Sequence, residues 1–166
     1  TGDLSLVCWL YATSTASYKG VWDTQSSCGC CDGLVLSRKS VSIFRVYATS
    51  QILISGTTDI NNAWVHLAVV RDGTDLELFV NGASQGTTTW SVNMNSTTAT
   101  VIGGGRFSGS SINAVIAGFI RDFRIVKSAV YTSAFTPPTT PLGAISNTSL
   151  LACHLPYIAD GSTNAY

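Results

Sequence analysis

Apolar and polar residues alternate through Leu4-Ser5-Leu6-Val7-Cys8-Trp9-Leu10-Tyr11. Leu4, Leu6, Cys8 and Leu10 form one face, and Ser5, Val7, Trp9 and Tyr11 the other. A period of two is the signature of a β-strand, whose successive side chains point to opposite sides of the sheet. The same pattern returns between turn residues at 18–23, 33–38, 42–48, 50–55, 64–71, 75–81, 99–103, 117–127 and 149–155. No helical period interrupts it. About ten short strands separated by turn signals predict an all-β protein, an antiparallel two-sheet β-sandwich of the jelly-roll kind.

The clearest pairing is WVHLAVVRDGTDLELFVNG, residues 64–82. Asp72-Gly73 supplies the turn, because glycine tolerates the positive φ that a tight hairpin requires. Leu67 and Val69 on one strand, with Leu76, Leu78 and Val80 on the other, are expected to face the core. The opposite face then carries His66, Ala68, Val70, Glu77, Phe79 and Asn81, either a solvated sheet face or one wall of a binding groove. Asn81-Gly82 reads as a second tight turn that ends the hairpin. Farther on, GFIRDFRIVKSA places Phe119, Phe123 and Ile125 on one side and Asp122 and Arg124 on the other, the last two close enough to pair. AFTPPTTPLG holds three of the four prolines and reads as an extended connection laid over the surface.

Composition narrows the function classes. At 166 residues the chain is long enough to bury one sizeable core. Only 11% of the residues are charged, and nine Lys+Arg balance nine Asp+Glu. Nucleic-acid binders carry a basic excess or stripe, and none is present. No apolar run reaches the roughly 18 residues of a membrane-spanning helix. A neutral, hydroxyl-rich surface leans toward assembly or toward the outside of a particle.

The order GDLSLVCWLYATS, YKGVWDT, WVHLAVVRDGTDLELFVNG, VIGGG and GFIRDFRIVKSAVYTSAFTPPTTPL resembles the concanavalin A-like lectin/glucanase superfamily over nearly the whole chain. More narrowly, it is similar to the laminin-G-like jelly rolls of bacteriophage tail, fibre and capsid-decoration proteins. The resemblance implies a jelly-roll body over 1–136, a Pro-rich surface connection over 137–148, and a closing strand with C-terminal tail of the same domain over 149–166. It also implies an upstream strand that is missing here, so the chain is expected to be a piece of a longer protein or to leave an edge for a neighbour. The expected function is a non-catalytic structural or interaction module of a virion, attaching to host-surface glycans. Its partners would be copies of itself, other virion proteins or glycans, at a virion surface or outside the cell. The alternative is a stand-alone lectin-like carbohydrate-binding or adhesion domain.

Catalysis finds little support among the residues. Retaining glucanases need two carboxylates about 5–5.5 Å apart. The chain has a single glutamate, Glu77, with Asp75 near it at a turn, and lacks the superfamily's E-x-D-x-x-E strand. No G-x-S-x-G elbow supports a serine nucleophile. No cofactor is expected except calcium, for which Asp59, Asn61 and Asp23 are the candidate ligands, although a turn explains the first two equally well. For sugar stacking the candidates are Trp90, Phe79, Tyr131 and Trp22, with Trp90 the best exposed because Thr and Ser surround it. Three of the five cysteines fall in SCGCCDG. The spacing suits neither a zinc site nor a redox C-x-x-C pair, so the stretch reads as a loop with Cys28 and Cys31 a potential local crosslink. Family topology would bring Cys8 and Cys153 together, as a disulfide or as two small buried hydrophobes.

Overall fold

The computed structural model describes residues 2–13, 16–27, 33–39, 44–48, 51–58, 62–94, 99–107 and 109–155. Among them are eleven strands and no helix: β1 Leu4–Ala12, β2 Gly20–Asp23, β3 Val35–Arg38, β4 Phe44–Ala48, β5 Gln51–Ser55, β6 Trp64–Asp72, β7 Asp75–Val80, β8 Ala83–Thr89, β9 Val101–Ile102, β10 Gly118–Val126 and β11 Thr148–Ala152. They form a six-stranded sheet, ordered β11-β10-β1-β6-β7-β8, and a five-stranded sheet, ordered β5-β4-β3-β2-β9. The neighbouring strands in both run antiparallel. Leu6, Cys8 and Leu10 of β1 meet Trp22, Leu36, Phe44 and Val46 of the other sheet in one buried core. The two-sheet sandwich predicted from the alternation is the fold.

One strand escapes the hydrophobic pattern. β8 reads ASQGTTT, with no large apolar residue, and it closes the edge of the six-stranded sheet by pairing with β7. An edge strand facing water needs no apolar stripe, so no alternation marks it. The tight turn at Asn81-Gly82 therefore does not end the hairpin but extends it into a meander. Both turn residues have positive φ, 52° and 78°, as a primed two-residue turn requires. Asn81 also links back to β6: its Oδ1 accepts the His66 N–H at 2.9 Å, and its own N–H donates to the His66 carbonyl at 2.8 Å.

A β-bulge redirects the side chains of β10. Trp9 pairs with Arg121 but Val7 pairs with Arg124, so Asp122-Phe123 faces a single residue of β1. Asp122 takes φ 56° and donates its N–H to the Cys153 carbonyl at 2.9 Å. The extra residue inverts the alternation. Phe119 and Phe123, expected on one side, lie on opposite faces: Phe123 is in the core and Phe119 is 64% exposed. Asp122 pairs at 3.8 Å with Arg121, while Arg124 donates to the Gly143 carbonyl at 2.9 Å. Cys8 faces this bulge from β1, and Cys153 follows β11. Both are free thiols rather than a disulfide, and burial, with Cys153 nearby, raises the Cys8 pKa far above the usual thiol range. Cys28 and Cys31 lie outside the described residues.

The outer face of the six-stranded sheet is neither fully solvated nor an open groove. The chain after β10 crosses it as a strap, packing Tyr131, Phe135 and Leu142 onto Val7, Ala68, Val70, Phe79 and Leu151. The prolines suit this extended path, which offers no ladder hydrogen bonds. Tyr131 and Phe135 stack at 3.7 Å, and Phe135 meets the edges of Phe79 and His66, each at 5.5 Å. The Asp122 carboxylate accepts the Leu142 N–H at 3.1 Å and so ties the far end of the strap to the bulge.

Candidate functional site

Beyond the strap, the same sheet face exposes Trp64 and Phe119. Outward positions of β1, β6 and β10 come into register there: Tyr11 pairs with Trp64 on one side and with Phe119 on the other. The three rings form a row across three adjacent strands, with centroids 5.8 Å apart for Tyr11–Trp64 and 6.5 Å for Tyr11–Phe119. Trp64 is 42% exposed and Phe119 64%. One register step inward, Arg121 lies over Trp9 at 5.1 Å and over Trp64 at 5.3 Å, anchored by its ion pair with Asp122. Trp9 continues the aromatic surface toward His66, 5.3 Å away edge-on, where the strap begins.

The bulge makes this surface. Without the extra residue at Asp122, Phe119 and Arg121 would share a face with Phe123 and point into the core. Gly118 starts β10 opposite Ala12, where a Cβ would collide with the Tyr11 carbonyl, so the strands close tightly beneath the row. His66 is fully buried under the strap, and its pKa falls to about 4, first through burial and then through nearby Arg124. At neutral pH it is therefore an uncharged ring in an aromatic stack. At the opposite end of the face, Asp72, Asp75, Glu77, Thr87 and Tyr131 line a cavity of about 250 Å³.

The residues singled out for sugar stacking lie elsewhere. Trp22 and Phe79 are fully buried, one in the central core and one beneath the strap. Trp90 is only 4% exposed, because Arg71 covers its ring at 5.2 Å despite the polar neighbours in sequence. Tyr131 is half-buried, stacked on Phe135 with its hydroxyl bonded to Arg124. Asp23 is wholly buried and occupied by protein donors: Oδ1 accepts the Gln25 N–H at 2.7 Å and Oδ2 the Arg106 N–H at 2.6 Å, with the Arg106 guanidinium 3.8 Å away. Such a carboxylate braces a loop rather than offering itself to calcium at a rim. Asp59 and Asn61 lie outside the described residues, and among the described ones no group of three His, Cys, Asp or Glu could hold a metal ion. The aromatic row was half visible in the alternation, which already put Trp9 and Tyr11 opposite the core-facing leucines. Register with Trp64, and the bulge that turns Phe119 outward, were not.

A laminin-G family model, described as concanavalin A-like lectin/glucanases superfamily, matches residues 1–133. The chain belongs to this superfamily. Comparison with curated proteins gave no match. Among solved structures, the chain is similar to a candidate carbohydrate-binding protein from Bacteroides ovatus, with 14% identity and TM-score 0.70, over 92% of this chain and 45% of that one. It is similar to a heptameric SAP-like pentraxin from Limulus polyphemus, with 16% identity and TM-score 0.55, over 77% and 65%. It is also similar to the CBM40 of the Ruminococcus gnavus IT-sialidase, a structure bound to α2,3 sialyllactose, with 12% identity and TM-score 0.66, over 79% and 78%. The chain thus spans less than two thirds of the first two proteins. At these identities the superfamily likeness is one of fold.

Proposed function

We propose that this chain is a non-catalytic carbohydrate-binding module, acting outside the cell, that stacks a sugar ring on Trp64 or Phe119, the exposed rings on either side of Tyr11. The three-ring row beside Arg121, with Trp64 and Phe119 exposed, carries this reading. Pyranose rings present C–H faces that lie flat on aromatic rings, and the Arg121 guanidinium supplies donors for the hydroxyls at the ring's edge. The fold and the carbohydrate-binding descriptions of two similar structures support a lectin-like module over the virion component expected from the sequence. A glycan array probed with the intact chain tests it. Binding to at least one glycan, weakened about tenfold or more by Trp64→Ala, is expected; an array without hits, or hits indifferent to both Trp64→Ala and Phe119→Ala, would sink the proposal.

A further inference from the structure

The five-stranded sheet has a charged feature on its own outer face that the Trp64 row does not involve. On β4, Phe44 and Val46 point into the core, so Arg45 and Tyr47 point outward. The Arg45 guanidinium is flanked by three rings, Tyr18 at 4.9 Å, Tyr47 at 5.1 Å and Phe107 at 5.8 Å. These walls leave Arg45 only 6% exposed. Space for one wall is reserved by Gly105, where a Cβ would stand 2.6 Å from the Phe107 ring.

Its hydrogen bonding is unfinished. Nε donates to Ser37 Oγ at 3.1 Å, across the β3–β4 pair. Among the described residues Nη1 and Nη2 have no acceptor. The ion pairs there join Arg106 to Asp23 and Arg121 to Asp122, leaving Arg45 without a carboxylate. Its cross-strand neighbour on β5 is Ser55, whose hydroxyl accepts a hydrogen bond from Lys39 Nζ at 3.2 Å. The Nη1–Nη2 end is not sealed from solvent, so water solvates it when no ligand is bound and a ligand can reach it.

The geometry selects the ligand. Ser37 occupies Nε and closes the side of the fork, so only the end formed by Nη1 and Nη2 remains. Two parallel N–H donors at that spacing match the two oxygens of a carboxylate. Aromatic walls on either side fit the skeleton that carries it. We infer that Arg45 receives the carboxylate of an acidic sugar end-on, between Tyr18, Tyr47 and Phe107, on the sheet opposite the Trp64 row. The assignment is independent of the glycan reading given for that row.

Titration of the intact chain at neutral pH tests it, with glucuronate, N-acetylneuraminate, glucuronate methyl ester, glucose and inorganic sulfate as probes. Calorimetry and the NMR signal of the Arg45 Nε–H serve as readouts. At least one of the two acids should bind and shift the Arg45 signal, with the ester and glucose about tenfold weaker or worse. Arg45→Lys keeps the charge, loses the planar fork, and should weaken acid binding about tenfold or more. Should that variant fail to fold, Tyr18→Ala removes a 57% exposed ring and should weaken the acid severalfold. Trp64→Ala should leave acid binding unchanged, which separates this site from the array result. Equal affinity for the ester, sulfate binding as tightly as the acid, or a silent Arg45 signal in the wild type would each overturn the assignment.

Discussion

Phe135 and Gly82 are joined at the backbone: the Phe135 N–H donates to the Gly82 carbonyl at 3.0 Å, and a Cβ on Gly82 would run into the Phe135 carbonyl. Gly82 also has φ 78°. The turn between β7 and β8 and the strap that covers the sheet are thus held by one residue that can carry no side chain. Gly82→Ala should destabilise the fold by roughly 2 kcal/mol or more, combining left-handed strain with loss of the strap contact. Urea denaturation measures this; a change near zero would show that the strap is not docked there.

His66 gives the strap a pH dependence. Its folded pKa of about 4 lies below the ordinary 6.5, so between these values the unfolded chain binds more protons than the folded one. Stability from this group is then fully present above pH 6.5 and is lost as pH falls toward 4. The loss is on the order of 3 kcal/mol from the shift alone. Denaturation midpoints across this window should decline, and His66→Phe should flatten that part of the profile.

The two exposed-versus-buried tryptophans should separate cleanly. Trp64→Ala removes a 42% exposed ring and is expected to cost little stability while weakening glycan binding. Trp90→Ala empties a core position beneath Arg71 and should cost roughly 3–5 kcal/mol. Thermal melts alongside the array measure both, and a Trp90 variant that melts like the wild type while losing sugar would reverse the two roles.

Asp23 is predicted to act without calcium. Asp23→Ala leaves the Arg106 guanidinium buried without its carboxylate and breaks the tie between β2 and the segment after β9, costing roughly 3 kcal/mol or more. The midpoint of the wild type should not move when a chelator replaces calcium. A calcium-dependent rise that Asp23→Ala abolishes would restore the ligand role.

How legible all this was in the sequence depended on which forces left a periodic trace. Leu4, Leu6, Cys8 and Leu10 announced β1 because one face of it must be dry. The meander continuing through Ala83–Thr89 left none, since an edge strand of small and polar residues is held by its ladder and by Gln85, whose Oε1 accepts the Thr57 and Thr58 N–H groups. Trp90 misled because its cover, Arg71, is distant in sequence. The strap was recognised as an extended connection but not as the cover of His66 and Phe79, because which face a connection crosses is a tertiary fact. Phe119 was assigned to the wrong side for a single reason, the residue inserted at Asp122.

That residue also sets a counting rule for the surface it creates. Upstream of Asp122, outward positions are odd-numbered; downstream they are even, and the two halves of β10 are held out of step by one. Deleting Asp122 would exchange the roles of Phe119 and Ile120, turning the platform into core and the core into surface in one stroke. Substitution at positions 119 and 121 changes the platform's chemistry without changing the fold, but the spacing between them and Phe123 can change only in steps of two.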